Sequence, residues 1–479
     1  MNYRMITQML GRVITIEAAL LAVPMAVSLI YGESPLPFLY VMALCALVGG
    51  ALWRVKPVNH DMYAREGFTI VALAWIILSA FGALPFVISG EIPNFLDALF
   101  ETVSGFTTTG ATILRDVETM GKGCMFWRCF THWVGGMGVL VFIMAILPMS
   151  GEYSMHIMRA EVPGPVVGKL VPRARKTAGI LYLIYVAMTV AEIILLCCGG
   201  MSLYEAMIHT FSTAGTGGFS NRAASAGGFQ SVYIEMVIAV FMLLFGVNFN
   251  LYFFVATGRW KEALKSQELW VYLGVIAFAT LTIGYNILPL MGSWGQSLRY
   301  SFFQVNSIIT TTGMSTINYD PWPEYSRTVI VMLTFLGACA GSTGGGIKVS
   351  RMMILFKSAK AEIARLLRPR SVNKVRMDGR SVDEKTVKCT LVFTFLYVAI
   401  VLAGTLIVSL DGFDFTTNFT SALTCVSNVG PGLNIVGPAG NFAEFSYLSK
   451  GVLTLCMLLG RLEIFPVLIL FAPSLWKKS

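Results

Sequence analysis

Charged residues are scarce in this chain. Only 13% of its 479 residues are Asp, Glu, Lys or Arg, whereas 56% are hydrophobic, and the mean hydropathy is +0.70. Soluble domains carry roughly 25% charged residues, so this composition excludes an ordinary soluble protein. We therefore predict an all-α membrane protein that crosses the bilayer many times.

Metal-binding and catalytic motifs are also lacking. The four histidines are far apart in sequence, and the nine cysteines lie mostly in apolar runs and form no CxxC pair. The sequence has no HExxH, no Gly-rich dinucleotide motif after a strand and no Walker sequence. These absences argue against zinc chemistry, an enzyme and a nucleotide site in this chain. We expect no organic cofactor here and no nucleic-acid partner.

Long apolar runs are abundant. A helix needs about 20 apolar residues to cross roughly 30 Å of hydrocarbon, and the sequence contains ten candidate runs of this kind. They lie near 13–30, 38–53, 68–90, 126–148, 178–198, 232–256, 269–290, 328–356, 387–410 and 448–472. We therefore predict ten transmembrane helices.

The distribution of Lys and Arg predicts the orientation. With the N-terminus inside, the inner loops collect most basic residues, in clusters at 54–65, 159–176, 259–265, 351–388 and 477–478. Cytoplasmic loops are enriched in Lys and Arg, so both termini are expected in the cytoplasm. The net charge of +9 then describes a basic cytoplasmic face. A docking surface for a partner or for anionic lipid is the alternative explanation.

Four short polar loops interrupt the apolar sequence. They are TTTGAT at 107–112, STAGTGG at 212–218, TTTGMS at 310–315 and SNVGPG at 427–432. We align Gly110, Gly215, Gly313 and Gly430, which recur at intervals of roughly 100 residues. A full span and a segment too short to cross the membrane precede each loop, and another span follows. The repeating unit is therefore helix, half-helix, loop, helix.

This unit divides the chain into an N-terminal hairpin and four pseudo-symmetric repeats around one central pore. The predicted parts are the hairpin 1–56, repeat 1 (57–158), repeat 2 (159–262), repeat 3 (263–356), a basic cytoplasmic linker (357–386) and repeat 4 (387–479). The four spans after the loops also carry glycine-rich or polar sequences near their middle, at 133–138, 245–250, 337–346 and 459–463.

Polar loops at membrane depth need a physical reason. Non-helical backbone is tolerated there only where it is buried in protein or lines a water-filled cavity. At a pore axis, the loop carbonyls can replace the water around a cation, as in potassium channels. A single loop of this kind is more often a helix cap or a packing contact. Four loops in the same setting indicate a common ion pathway.

The eighth run cannot remain helical throughout. GACAGSTGGG at 337–346 is rich in glycine, and each glycine costs a helix about 1 kcal/mol relative to alanine. A close helix contact is one explanation, and an intramembrane gate loop is the other. Arg461 lies in an apolar span, where a charge costs about 2.5–3.5 kcal/mol on insertion scales. Because helical geometry separates Arg461 and Glu463 by roughly 200°, we expect Glu463 to face another helix.

These motifs resemble those of the Trk/Ktr/HKT superfamily of potassium-uptake proteins, on the TrkH/TrkG branch. The resemblance rests on the four loops, HWVGGMG at 132–138, GSTGGGIK at 341–348 and LGRLEIFPVL at 459–468, and it covers nearly the whole chain. It implies potassium uptake across the bacterial inner membrane. A symporter that couples potassium entry to protons or sodium is the alternative, although such carriers more often show inverted repeats.

The resemblance also implies roles for individual residues. The potassium filter would comprise Thr108, Thr109, Gly110, Ala214, Gly215, Thr311, Thr312, Gly313, Asn428, Val429 and Gly430. Serine in place of the first filter glycine is associated with sodium transport in this superfamily, so four glycines imply potassium. The gate would comprise Gly341, Ser342, Thr343, Gly344, Gly345, Gly346, Lys348 and Arg461. Lys348 is equally consistent with a lysine that snorkels from a helix end.

The cytoplasmic segment 357–387 completes the sequence-based expectations. Apolar residues at helical spacing with basic residues between them predict an amphipathic helix on the membrane surface that ends at Pro369. By resemblance, this face meets a TrkA-like regulatory subunit with nucleotide-binding domains, so any nucleotide belongs to that subunit. The resemblance also implies a homodimer surrounded by membrane lipid.

Overall fold

The computed structural model describes residues 1–56, 64–136, 138, 174–368 and 373–473. These parts of the chain are overwhelmingly helical, as the composition predicts. The first half contains α1 (Tyr3–Leu20), α2 (Ala22–Ile30), α3 (Leu36–Trp53), α4 (Ala64–Ser89), α5 (Phe95–Phe106), α6 (Lys122–Gly136), α7 (Ala174–Cys198), α8 (Leu203–Gly215), α9 (Val232–Phe245) and α10 (Phe249–Ala256).

The second half adds helices and two very short sheets. It contains α11 (Trp260–Ala263), α12 (Gln267–Met291), α13 (Trp294–Ile309), α14 (Glu324–Phe335), β1 (Leu336–Gly337), β2 (Ile347–Lys348), α15 (Val349–Leu367), β3 (Arg376–Met377), β4 (Arg380–Ser381), α16 (Glu384–Val408), α17 (Phe415–Ser427), α18 (Tyr447–Arg461) and α19 (Phe465–Leu470). Strands β1 and β2 pair in parallel, whereas β3 and β4 form an antiparallel hairpin.

The first helices form a tight hairpin. Gly11 of α1 lies against the backbone of α3, where an added Cβ would come within 2.5 Å of the Trp53 amide nitrogen. Gly49 of α3 makes the reciprocal close approach to Thr15 of α1. Small residues at such crossings let helix backbones meet closely within a bilayer. The hairpin also packs on α4 and so flanks the first repeat.

Four short helices are buried at the centre of the protein. Each follows a long helix: α5 follows α4, α8 follows α7, α13 follows α12, and α17 follows α16. Side chains cap three of their N-termini, because Asn94, Ser202 and Asp414 accept hydrogen bonds from amides in the first turn. We call these four helices the inner half-helices.

The number of spans differs from the prediction of ten. In the described part of the chain, six helices are long and apolar enough to cross a membrane, or seven if α9 and α10 count as one span bent by 91°. The six comprise both arms of the hairpin and the four long helices that precede the inner half-helices. The ten-span prediction is therefore not confirmed.

The missing spans are those that follow the polar loops. Run 328–356 is divided by the glycine-rich segment between α14 and α15, and run 448–472 breaks where Glu463 and Ile464 have positive φ angles of 55° and 66°. Run 126–148 extends beyond α6 outside the described residues, apart from Gly138. The predicted basic residues Arg159, Lys169 and Arg173 and the tail residues Lys477 and Lys478 also lie outside the described residues.

Candidate functional site

The inner half-helices end in four loops with the same backbone pattern. The first non-helical turn of each loop contains a non-glycine residue in the left-handed region, and a glycine with positive φ follows two positions later. The pairs are Thr108 and Gly110, Thr216 and Gly218, Thr311 and Gly313, and Asn428 and Gly430. A β-branched residue with positive φ is uncommon, and such strain often marks a functional site.

The second loop corrects the alignment made from sequence. Ala214 and Gly215 still belong to α8, and Thr216 caps that helix in the left-handed conformation. Gly218, with a φ of 85°, is therefore the structural counterpart of Gly110, Gly313 and Gly430. The predicted register was wrong by three residues because Thr213-Ala214-Gly215 and Thr216-Gly217-Gly218 repeat the same spacing of threonine and glycine.

A hydrogen bond at the end of each half-helix explains this register. The amide that follows each left-handed residue donates to a carbonyl five residues earlier, as in a Schellman helix end. The bonds are Thr109 to Ser104 at 2.8 Å, Gly217 to Ser212 at 2.8 Å, Thr312 to Ser307 at 2.8 Å and Val429 to Thr424 at 3.0 Å. The acceptors are main-chain oxygens, so the side chains at these positions do not set the register, which depends on where α8 ends.

The four loops meet in a closed ring. An added Cβ on Gly110 would lie 2.1 Å from the Gly217 carbonyl oxygen, and one on Gly218 would lie 2.2 Å from that of Thr312. In the same way, an added Cβ on Gly313 would lie 2.0 Å from the Val429 carbonyl oxygen, and one on Gly430 would lie 2.5 Å from that of Thr109. Each glycine therefore makes room for a carbonyl of the next loop, and the fourth loop returns to the first.

This ring can act chemically as an oxygen cage. Its members Thr109, Gly217, Thr312 and Val429 contribute neutral carbonyl groups, the kind of ligand that replaces the hydration shell of an alkali cation. A cavity of about 130 Å³ opens above it and is lined by all four ring glycines, Gly110, Gly218, Gly313 and Gly430. Gly215 does not line this cavity, which agrees with the corrected register.

Side-chain contacts also support the loops. They differ among the four quarters of the structure, each of which comprises one inner half-helix, its loop and the helices packed beside them. Thr107 and Thr109 share a 2.8 Å hydroxyl contact, and Thr310 and Thr312 repeat it. In the fourth loop, Asn428 instead donates from Nδ2 to Thr109 Oγ1 and to the Met457 carbonyl, both at 2.9 Å. The fourth loop is thereby bonded directly to the first.

His132 has a structural role that sequence reasoning missed. Its Nδ1 lies 2.7 Å from the Gly105 carbonyl oxygen, and its Nε2 accepts a hydrogen bond from the Phe219 amide at 3.3 Å. Because Nε2 is an acceptor, the ring is neutral and Nδ1 carries the proton. His132 therefore joins the first half-helix to the second loop. Its place in the HWVGGMG motif was the available signal.

The glycine-rich segment lies directly beneath the third and fourth loops. Its Gly345 amide donates to Thr311 Oγ1 at 2.8 Å. An added Cβ on Gly345 would lie 2.6 Å from the Ser427 carbonyl oxygen, and one on Gly344 would lie 3.0 Å from that of Thr310. The predicted gate residues 341–346 thus occupy the side of the ring opposite the cavity.

Hydrogen bonds from neighbouring helices hold this segment at both ends. Glu268 of α12, also missed from the sequence, accepts from the Ala340 amide at 2.7 Å and from the Ser350 amide at 3.0 Å through the same oxygen. At the bend between α9 and α10, the Cys339 amide donates to the Gly246 carbonyl and the Phe249 amide donates to the Gly341 carbonyl. Lys348 Nζ donates to the Gly344 carbonyl within the segment itself.

Arg461 connects the segment to the first quarter. Its guanidinium donates to the Thr343 carbonyl at 2.7 Å and to the Gly135 and Gly136 carbonyls at 2.5 and 2.9 Å. The last two carbonyls lie at the C-terminal end of α6, where the helix dipole favours a cation. Glu463 faces another helix and pairs with Arg351 of α15 at 2.5 Å. Arg461 and Glu463 therefore have separate partners.

The chain matches a family model described as a cation transport protein, TrkH, over residues 35–267 and 263–478. It is 36% identical to the Trk system potassium uptake protein TrkH of Salmonella typhimurium, covering 100% of both chains. It is 33% identical to the Trk system potassium uptake protein TrkG of Escherichia coli K12, covering 99% of both. A crystal structure of the potassium transporter TrkH from Vibrio parahaemolyticus superposes with a TM-score of 0.90 at 31% identity, covering 100% of both chains.

Proposed function

This chain belongs to the TrkH family of cation transport proteins, and we propose that it takes up potassium through the ring formed by the four loops. Its relatives are named as potassium uptake proteins and not as enzymes. The observation that carries the proposal is the closed arrangement of Thr109, Gly217, Thr312 and Val429 carbonyls against the four glycines. Potassium is the transported substrate, and four pseudo-symmetric units surround its path.

The four ring glycines support potassium as the preferred ion. The filter glycines implied by the superfamily resemblance correspond in this structure to Gly110, Gly218, Gly313 and Gly430. No serine replaces any of them, and the register correction at Gly218 leaves this argument intact. A carbonyl cage selects ions through the number and spacing of its oxygens, so the close glycine contacts would set that spacing.

Residues 341–346 act as a gate in this proposal. The segment closes the path below the ring, and Lys348 and Arg461 place positive charge beside it. Its hydrogen bond from Gly345 to Thr311 gives a direct mechanical connection to the filter. Opening would require the segment to leave Thr311 and would release the Thr343 carbonyl from Arg461.

The protein is a multi-pass membrane protein, and we place it in the bacterial inner membrane with both termini in the cytoplasm. The basic cluster 351–388 would then face the cytoplasm. There, a TrkA-like nucleotide-binding subunit would control the gate, in keeping with the Trk system names of the relatives. A homodimer completes the proposed assembly.

Ion flux in reconstituted vesicles tests the proposal. The purified chain should carry potassium down its gradient without an imposed proton or sodium gradient, because a gated pore needs no second ion. Uptake that requires either gradient would favour the symporter alternative. A protein that binds potassium but gives no flux under any of these gradients, with or without a TrkA-like subunit, would contradict transport.

A further inference from the structure

A completely buried ion pair lies behind the first loop. Arg128 of α6 donates from Nε to Glu101 Oε1 of α5 at 2.6 Å, and their side chains are 2% and 0% exposed. Glu101 also accepts from Thr112 Oγ1 and from the Ile113 amide, both at 2.9 Å. These two residues belong to the chain segment that leaves the first loop toward the cavity. The carboxylate therefore fastens that segment to the half-helix.

In the second and third quarters, the residue equivalent to Glu101 also connects its half-helix to the exit segment, the residues that follow the loop. Glu101 stands seven residues before the left-handed residue Thr108, and the equivalent positions in the second and third loops are His209 and Gln304. His209 Nε2 lies 3.0 Å from Ser220 Oγ, and Gln304 donates to the Ile317 carbonyl at 3.3 Å. Both contacts join a half-helix to its own exit segment. Among the described residues, only the first quarter makes this connection with a charged group.

Arg128 extends the first connection to the neighbouring quarter. Its guanidinium donates to the Ser220 carbonyl at 3.2 Å and stacks 3.5 Å from the centre of the Phe219 ring. Phe219 directly follows the ring glycine Gly218. Arg128 also lines the cavity above the four ring glycines. Arg128 is thus one of three arginines, with Arg115 and Arg222, in the wall of the space that a cation would cross. Arg222 is paired with Glu205 at 2.7 Å.

We propose that the Glu101–Arg128 pair is a positioning element for ion selection that holds the first and second loops at a set distance while cancelling the charge that Arg128 would otherwise add to the cavity wall. This inference rests on the proposed potassium conduction. Glu101 cancels the charge that Arg128 brings to the cavity, and Arg128 supplies the contact between the two loops. Neither group carries the ion itself.

The two charges make opposite predictions. In Glu101→Gln, the unneutralised guanidinium repels cations, so the half-saturating potassium concentration should rise about tenfold, a scale typical of focused local charge. In Arg128→Gln, the remaining carboxylate attracts cations and this concentration should fall. The double variant Glu101→Gln with Arg128→Gln restores neutrality. It should return near the wild-type concentration but discriminate less between potassium and sodium, because the contact to the second loop is lost.

Vesicle flux at varied external potassium, with sodium competition, measures both quantities. Glu235 and Arg299 offer a matched control, since they form a 3.3 Å pair between α9 and α13 and do not line the cavity. Glu235→Gln and Arg299→Gln should leave both quantities unchanged. Size-exclusion profiles report whether each variant is folded.

Shifts in opposite directions for the two single variants support the inference. Shifts in one direction, or none, would overturn it and assign the pair to packing alone. If either single variant fails to fold, the neutral double variant decides: reduced discrimination supports the inference, and wild-type discrimination overturns it. A wild-type protein without flux contradicts the proposed function instead, so the two failures are distinguishable.

Discussion

Replacing Gly218 by alanine tests the corrected register of the second loop. The residue has a φ of 85°, and a Cβ built there lies 2.2 Å from the Thr312 carbonyl oxygen. An L-residue in the left-handed region costs about 1–2 kcal/mol. The Thr312 oxygen must also retreat by roughly 1 Å to reach van der Waals separation. One of the four ring carbonyls therefore leaves its position.

The expected result is a loss of ion discrimination with a moderate loss of stability. A change of about 1.4 kcal/mol in relative ion affinity corresponds to tenfold. We therefore expect the potassium-to-sodium flux ratio of Gly218→Ala to fall by about one order of magnitude. Competitive uptake in vesicles gives this ratio, and thermal unfolding in detergent gives the stability.

Gly215→Ala is the matched control. Its Cβ would also meet a carbonyl oxygen at 2.2 Å, but that oxygen belongs to His132 of α6 and not to the ring. This variant should lose stability while the protein that remains folded keeps wild-type discrimination. The reverse pattern, in which Gly215→Ala loses discrimination and Gly218→Ala keeps it, would refute the structural register and restore the one inferred from sequence.

Three further results are expected. Arg461→Ala removes the hydrogen bond to Thr343 and, at about 1.5–3 kcal/mol for a charged hydrogen bond, should raise flux without the regulatory subunit at least tenfold; unchanged flux would remove Arg461 from the gate. Glu268→Ala leaves two buried amides unpaired and should lower the free energy of unfolding by about 1–3 kcal/mol, whereas Glu268→Gln keeps an acceptor and should lose less in denaturant titrations. With the exposed native cysteines replaced by serine, Ser381→Cys should react with an impermeant maleimide from the cytoplasmic side and Ser293→Cys from the outside; the opposite labelling would invert the proposed orientation.

Local sequence patterns were informative where one physical rule dominates. The long apolar runs located the two hairpin arms and the four long helices before the loops, because bilayer thickness alone sets their length. The glycine content of 337–346 located the interruption between α14 and α15, because glycine disfavours a helix regardless of its neighbours. Arg461 and Glu463 do contact different groups, as expected from helical geometry, but the assumed helix is absent there because α18 ends at Arg461 and Glu463 has a φ of 55°.

Residues whose role depends on distant partners were not accessible in this way. His132, Glu268 and the Glu101–Arg128 pair each join elements that are far apart in the chain. The HWVGGMG motif marks His132, and the position of Glu101 is repeated by His209 and Gln304, but no local spacing identifies the distant partner of each residue. Those partners are identified only when the helices are brought together.

The sequence alone determined that this protein lies in a membrane and carries four polar glycine loops among its apolar helices. Hydrophobicity and glycine content are properties of local segments, so they can be evaluated from the sequence without knowledge of the fold. Only the tertiary structure decided which glycine of the second loop joins the ring. Gly215 and Gly218 follow equivalent threonines, and the choice depends on where α8 ends and on how closely Gly218 approaches the Thr312 carbonyl in the next loop.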